Sequence, residues 1–183
     1  MALMIEIRPA VLDDVDALCA AHVEGWRTGY RGVFPDELLD SAAFAESRHA
    51  QWSSAWWLQD PRQALFAGVL DGRVLGFANV GGERIDGVAQ EFGRGEVYAF
   101  YLHPHGWGTG LATRLMDAGE AWLGEQGRSQ AVLWVLRDNP RARAFYDKAG
   151  WAWTGEETTW GGPQLPGITI PEPVAEVQYG REF

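Results

Sequence analysis

The feature that most constrains this chain is a glycine-rich turn between two segments of regular structure. The run "HPHGWGTGLATRLM" (103–116) spaces small residues two apart, at Gly106, Gly108, Gly110 and Ala112. An aromatic strand is predicted before the turn over 96–104, and a helix after it to about 126. The free N–H groups of a first helical turn attract anions, so this arrangement favours a phosphate site. A tight turn that needs positive φ explains the glycines equally well.

Two common nucleotide-binding motifs are excluded at this turn. A P-loop needs Gly-x-x-x-x-Gly-Lys followed by Ser or Thr, and the sequence contains no such run. The dinucleotide motif Gly-x-Gly-x-x-Gly/Ala would end on Leu111 if it began at Gly106, and on Thr113 if it began at Gly108. The remaining hypothesis is a general anion site, at which a pyrophosphate approaches the backbone.

Hydrophobic periodicity predicts one α/β domain over residues 1–183, with a mixed, mostly antiparallel sheet and the order β-α-α-β-β-β-α-β-α-β-β. The hairpin is the clearest element, because two apolar runs flank Asp71-Gly72, a favoured tight-turn pair. Asn139 and Pro140 predict the start of the last helix, and Gly150 its end. The other predicted elements are strands over 4–8, 130–136, 151–157 and 174–182, a helix capped by Asp13, a helix over 42–58, and loops over 83–94 and 160–173.

Composition limits the partners and the compartment. The chain has 25 acidic and 15 basic residues, a net charge of −10, which is the reverse of a nucleic-acid-binding footprint. Cys19 is the single cysteine, so an internal disulfide is impossible. No apolar run reaches the roughly 18 residues that a membrane helix needs, and the first residues lack a secretory pattern. We expect a cytoplasmic protein without nucleic-acid or membrane partners.

A second segment changes the interpretation of the glycine-rich turn. In "LWVLRDNPRARAFYDKAGW" (133–151), Tyr146 lies seven residues after Asn139, two turns along one helix face. Together with "YLHPHGWGTGLATRLM", this segment resembles the GNAT superfamily of N-acetyltransferases, and "IEIRPAVLDDVDAL" resembles that family's opening strand and helix. The family's pyrophosphate motif is Arg/Gln-x-x-Gly-x-Gly/Ala, and this chain departs from it at the first position. The residues that the resemblance assigns to the cofactor's pyrophosphate are Trp107, Gly108, Thr109, Gly110, Leu111 and Ala112.

The resemblance implies the GNAT fold, with about seven strands and about four helices. Its sheet splays between the fourth and fifth strands, here 96–103 and 130–136, usually at a bulge in the fourth. The pantetheine arm of acetyl-CoA, the co-substrate, would lie in that gap against exposed backbone. Backbone groups near Leu102 and His103 are expected to bind the pantetheine and the thioester carbonyl. Asn139 is expected to cap its helix and to contact the cofactor.

The same resemblance assigns the proton transfers of an acetyl transfer. An alkylamine must lose a proton before it attacks the thioester, and the departing thiolate is best protonated. Tyr146 is the expected general acid, although from the residues alone a packing tyrosine beside Phe145 is the better interpretation. Glu96 is the expected general base, directly or through water, with His103 as the alternative. A solvent-facing strand residue is an equally good interpretation of Glu96.

The acceptor is expected to be a primary amine: a small amine, an aminosugar, a polyamine or a peptide N-terminus. Trp26, Tyr30 and Phe34 are candidate lining residues of its pocket, together with the 158–173 loop. A core aromatic cluster under a loop explains these three residues equally well.

Other functions stay open at this point. No metal is expected, because only His22 and His49 accompany His103 and His105, and no cysteine lies near them. A non-catalytic acyl-CoA-binding regulatory module is the alternative to an enzyme. A protein acceptor is the alternative to a small amine, and a homodimer is one expectation for the oligomeric state.

Overall fold

The computed structural model describes residues 3–162 and 172–183. Its strands are β1 (Ile5–Pro9), β2 (Gln63–Leu70), β3 (Arg73–Gly82), β4 (Arg84–Ile85), β5 (Val88–Ala89), β6 (Gly95–Leu102), β7 (Gln130–Leu136), β8 (Ala152–Trp160) and β9 (Val174–Glu182). Its helices are α1 (Val15–Gly29), α2 (Asp36–Leu39), α3 (Ala42–Ser53), α4 (Leu111–Glu125) and α5 (Pro140–Lys148).

Strand pairing confirms the expected mixed, mostly antiparallel sheet of seven strands. The order is β1-β2-β3-β6-β7-β9-β8, and every neighbouring pair is antiparallel except β6 and β7. Asp71 and Gly72 form the β2–β3 turn with φ of 47° and 78°, as the sequence predicts for a tight hairpin. The separate sheet of β4 and β5 lies inside the predicted 83–94 loop.

Two helix predictions are wrong in detail. The helix predicted over 42–58 ends at Ser53, because Ala55 adopts φ of 51° and residues 56–58 form a separate 3-10 turn. Asp13 does not cap α1. The buried neighbour Asp14 instead binds Arg8 at 2.7 and 2.8 Å and accepts the N–H of Val11 at 2.9 Å, which joins β1 to the start of α1.

The large sheet opens between β6 and β7. These strands pair only over Gly95–Val97 and Ala131–Leu133, although each continues for several residues. β6 bulges at the same place: Asn79 of β3 pairs with Ala99 and Val80 pairs with Val97, which leaves Tyr98 as an extra residue. A bulge bends its own strand, so β6 and β7 diverge beyond Val97. The expected splay at a bulge is therefore confirmed.

Helices cover both faces of the sheet. Leu65, Phe77 and Leu136 pack against α1 and α3 on one face, and Val80, Leu133 and Tyr179 pack against α4 and α5 on the other. Packing on both faces of the sheet therefore holds the strands that border the gap. Part of the predicted 160–173 loop, residues 163–171, lies outside the described residues. Among the described helices, none is both long enough and apolar enough to cross a membrane.

Candidate active site

The glycine-rich turn adopts the left-handed conformations that its glycines permit. Gly108 has φ of 72° and Gly110 has φ of 90°, directly before α4 begins at Leu111. The Thr109 hydroxyl donates to the carbonyl of Gly106 at 2.8 Å and accepts the N–H of Leu111 at 3.3 Å. The N–H groups of Ala112 and Thr113 follow in the first turn, where a helix has no internal acceptors for them. The turn therefore presents backbone donors and the positive end of α4.

The remaining turn residues have different surroundings. The Leu111 side chain is fully buried, so only its backbone can contact a ligand. Trp107 is half-buried, and the guanidinium carbon of Arg141, from α5, lies 3.8 Å from the centroid of its ring. This contact joins the turn before α4 to the first turn of α5, the helix that follows β7.

Backbone alternation decides which amides of β6 face the gap. The His103 N–H donates to the carbonyl of Leu75 on β3 at 2.7 Å. Successive backbone groups of an antiparallel strand point to opposite edges, so the N–H and C=O of Leu102 point away from β3, and the carbonyl oxygen lies against Gly25 of α1. This geometry is compatible with the expected role of Leu102. It is not compatible with thioester binding by the His103 N–H, which is already engaged, and we correct that expectation.

The Asn139 and Tyr146 side chains lie on α5 beside the gap. The Asn139 amide oxygen accepts the N–H of Ala142 at 3.1 Å, which confirms the predicted helix cap. Tyr146 is 6% exposed, and its ring lies 6.4 Å from Phe100 of β6 and 6.0 Å from Tyr179 of β9. It therefore contacts elements from both sides of the opening. Burial raises the pKa of its hydroxyl, and Tyr101 adds to this effect, so the hydroxyl keeps its proton at neutral pH.

Glu96 has surroundings that neither interpretation of the sequence anticipated. Its carboxylate is 3% exposed and is held by Arg84 of β4. The Arg84 backbone N–H donates at 2.7 Å, and its Nε and Nη2 donate at 3.1 and 2.5 Å. A carboxylate held at one oxygen by a guanidinium and at the other by a backbone N–H is poorly suited to accept a proton from an amine. Glu96 also lies on the paired part of β6, before the strands diverge.

Two of the three expected acceptor residues are core residues. Trp26 and Phe34 are each 3% exposed, and their rings stack 5.4 Å apart at 10°. They therefore form the aromatic core cluster that was the alternative interpretation, and we withdraw them as pocket-lining residues. Tyr30 differs, because it is only partly buried and its hydroxyl oxygen lies 3.2 Å from that of Tyr101 on β6.

Tyr101 and Glu176 are residues that the sequence reasoning missed. Burial raises the pKa of both the Tyr30 and the Tyr101 hydroxyl, and the nearby charge of Glu176 adds to both effects. Glu176 lies on β9 opposite Leu136 of β7. Burial also raises the pKa of its carboxyl, and the charge of Arg84 opposes this. The available signal was an acidic residue among the apolar residues that begin the predicted 174–182 strand.

The four histidines lie in different surroundings. The His22 Nδ1 accepts the indole N–H of buried Trp52 at 3.3 Å, whereas exposed His49 lies 3.0 Å from Asp16. His103 and His105 have ring centroids 4.6 Å apart. Within residues 3–162 and 172–183, no three metal-ligating side chains are grouped as a metal ion would require.

The fold and the site agree with one known family. The model of the acetyltransferase (GNAT) family matches residues 28–151, which is more than half of the sequence. The chain therefore belongs to the GNAT family and is an N-acetyltransferase of that family. This confirms the resemblance carried by the glycine-rich turn and the Asn139–Tyr146 helix.

Individual relatives cover most of the chain. The uncharacterized N-acetyltransferase YuaI of Bacillus subtilis is 28% identical over 92% of this chain and 90% of its own length. The uncharacterized N-acetyltransferase Mb2688 of Mycobacterium bovis is 34% identical over 68% of this chain and 69% of its own. Among solved structures, the PaiA N-acetyltransferase of Thermoplasma acidophilum, in complex with coenzyme A, superposes with a TM-score of 0.72 at 16% identity. That match covers 98% of this chain and 99% of the other and establishes the shared fold.

Proposed function

We propose that this protein transfers the acetyl group of acetyl-CoA to a primary amine by direct attack of the amine on the thioester. The observation that carries the proposal is the opening of the sheet at the β6 bulge, beyond which the backbone of β6 is no longer paired with β7. A flexible pantetheine arm pairs with such an edge as an added strand would. The relative from Thermoplasma acidophilum, which shares the fold, was solved with coenzyme A.

Backbone N–H groups of the chain would donate to the charged diphosphate and to the thioester oxygen on which negative charge develops. The diphosphate would lie on the N–H groups of the turn at Gly108 and Gly110 and of the first turn of α4. The Leu102 N–H would donate to the thioester carbonyl oxygen as negative charge develops on it. A donor of this kind is worth about 2.7–4 kcal/mol in the transition state. The Asn139 amide nitrogen would contact the cofactor beside the turn.

Two side chains would move the protons. Tyr146 would donate its hydroxyl proton to the departing thiolate, since its hydroxyl is protonated at neutral pH and its ring spans both sides of the gap. We assign the base to Glu176 rather than Glu96. The charge of Glu176 contributes to the raised pKa of the Tyr30 and Tyr101 hydroxyls, and the raised pKa of Glu176 itself suits a carboxylate that must accept a proton. Glu96 is held by Arg84 instead.

The acceptor would be a small cationic amine. Glu176 would attract the ammonium form, and the Tyr30–Tyr101 pair offers hydroxyl oxygens as acceptors for its N–H groups. The net charge of −10 favours cationic over anionic acceptors and disfavours nucleic acid as a partner. The single cysteine is compatible with a cytoplasmic protein.

The test is the release of free coenzyme A thiol from acetyl-CoA in the presence of a panel of small amines, aminosugars, polyamines and peptides. At saturating acetyl-CoA, Tyr146→Phe should lower kcat by about a hundredfold or more, the usual size of a general acid's contribution. Tyr179→Phe is the matched control, because Tyr179 is equally buried but its hydroxyl accepts from Arg143 at 3.2 Å. Coenzyme A binding without turnover on any amine would indicate the regulatory module instead.

A further inference from the structure

We infer that Arg141 provides the side-chain contact to the diphosphate of coenzyme A that the first position of the pyrophosphate motif does not provide here, and that Trp107 positions Arg141 for it. The inference rests on the proposed function, because it concerns the same cofactor site. It goes further by assigning a residue from a different helix to that site.

The contact that supports this inference joins Arg141 of α5 to Trp107 of the glycine-rich turn. The guanidinium carbon of Arg141 lies 3.8 Å from the centre of the Trp107 ring. Trp107 directly precedes Gly108, whose positive φ shapes the turn, and Arg141 is the second residue of α5. A phosphate bound to the N–H groups after Gly108 would therefore lie within reach of the guanidinium edge.

Arg141 differs from the neighbouring arginines Arg137 and Arg143 in its polar contacts within the described residues. Arg143 donates to the Tyr179 hydroxyl at 3.2 Å and to the Arg137 carbonyl at 3.1 Å. Arg137 lies 3.7 Å from Glu157. Arg141 is exposed, and within the part of the chain that the structure describes it forms no ion pair and no side-chain hydrogen bond. The contact that the structure shows for its guanidinium is the one over the Trp107 ring.

Stacking of this kind prepares an arginine for an anion. A guanidinium lying flat on an indole keeps its N–H groups at the ring edge, where they can bind two phosphate oxygens at once. The contact also restricts the side chain before the ligand arrives, so less conformational entropy is lost on binding. A tryptophan at the first motif position thus replaces a direct polar contact with a platform for a cation from α5.

The experiment measures calorimetric dissociation constants for coenzyme A, dephospho-coenzyme A and pantetheine. Dephospho-coenzyme A lacks only the 3′-phosphate, whereas pantetheine lacks the diphosphate together with the whole phosphoadenosine. Arg141→Gln should weaken the binding of both nucleotides by roughly tenfold or more and leave pantetheine unchanged, since a charge-assisted hydrogen bond is lost. Trp107→Leu should weaken the same two ligands, and the double variant should bind no more weakly than Arg141→Gln alone, because Trp107 acts through Arg141.

Lys148→Gln is the matched control, because Lys148 is also exposed but lies at the opposite end of α5 from Arg141. An equal loss in this control would mean that only overall charge counts, and it would overturn the inference. A loss for coenzyme A but not for dephospho-coenzyme A would overturn it too, in favour of the 3′-phosphate. Unchanged binding by Arg141→Gln, with normal binding by the unmodified protein, would overturn the inference alone. Absence of coenzyme A binding by the unmodified, folded protein would overturn the proposed function and the inference together.

Discussion

Arg84 holds both carboxylate oxygens of Glu96, with its backbone N–H 2.7 Å from Oε2 and its Nε 3.1 Å from Oε1. This pair joins the β4–β5 hairpin to the start of β6, immediately before the bulge at Tyr98. Arg84 also lies over the Tyr98 ring, 4.4 Å from its centroid. The pair therefore stabilises the strand at the point where the sheet begins to open.

Glu96→Gln is expected to affect stability more than chemistry. The variant loses charge-assisted hydrogen bonds to Arg84, at a cost of about 1–3 kcal/mol in the free energy of unfolding. Since Arg84 is partly exposed, water can replace part of the lost interaction. Denaturant titration measures the stability change, and kcat at saturating substrates should fall less than tenfold. A drop of a thousandfold in kcat with unchanged stability would restore Glu96 as the general base.

Glu176→Gln is expected to affect chemistry more than stability. A base must be deprotonated to accept the proton of the amine, so kcat/KM should fall on the acidic side of its pH profile. Burial raises the Glu176 pKa, so the midpoint of that acidic limb should lie above the ordinary glutamate value of about 4.3. In Glu176→Gln the limb should disappear, with kcat lowered by about a hundredfold or more. An unchanged acidic limb in this variant would exclude Glu176 as the base.

His22 is expected to make the protein less stable in acid. Burial, with the charge of Arg48, lowers the pKa of His22 to about 3, whereas an unfolded histidine titrates near 6.5. Between these values the unfolded state binds a proton that the folded state does not, so stability falls as the pH falls, by at most about 1.4 kcal/mol per pH unit. His22→Gln, which can keep an acceptor for Trp52, should flatten the dependence of the unfolding free energy on pH between 6 and 4.

The control for this prediction is His49→Gln, because His49 is exposed beside Asp16. That variant should keep the slope of the unmodified protein. If His22→Gln and His49→Gln show the same slope, the acid sensitivity comes from other groups.

Gly110→Ala is expected to weaken coenzyme A binding through the backbone alone. Gly110 has φ of 90°, and an added Cβ would meet only the Ile5 side chain, at 3.8 Å. The cost is therefore conformational, about 1–2 kcal/mol for a left-handed residue, and it reshapes the turn that presents the N–H groups. Gly87→Ala, with φ of 79° in the β4–β5 turn, should lower the melting temperature similarly but leave the dissociation constant unchanged. Equal affinities in the two variants would contradict the assigned role of the turn.

Local patterns predicted most of the fold because the physics behind them is local. The two apolar runs that flank Asp71-Gly72 predicted the hairpin, and the Asn139–Pro140 pair predicted the start of α5, since turns and caps depend on neighbours in the chain. The same reasoning failed at Ala55, where a left-handed residue ends α3. A non-glycine residue in that conformation leaves no signal in a hydrophobic pattern.

The candidate site could be predicted only in part. The glycine-rich turn and Tyr146 could be named from two short segments of the chain. Arg84 and Glu96 lie 12 positions apart, Trp107 and Arg141 lie 34 apart, and Tyr30 and Tyr101 lie 71 apart. No spacing rule links such pairs, so their partnerships were invisible before the fold was known.

By itself, the sequence determined most of the segments that become strands and helices, where the glycine-rich turn lies, and which family the chain resembles, because periodicity, caps and turns act over a few residues. Only the tertiary structure decided that Glu96 is held by Arg84, that Trp26 and Phe34 belong to the core, and that the Tyr30 and Tyr101 hydroxyls lie together. Burial and charge pairing are properties of groups brought together in space, and packing of the helices on the sheet sets those distances.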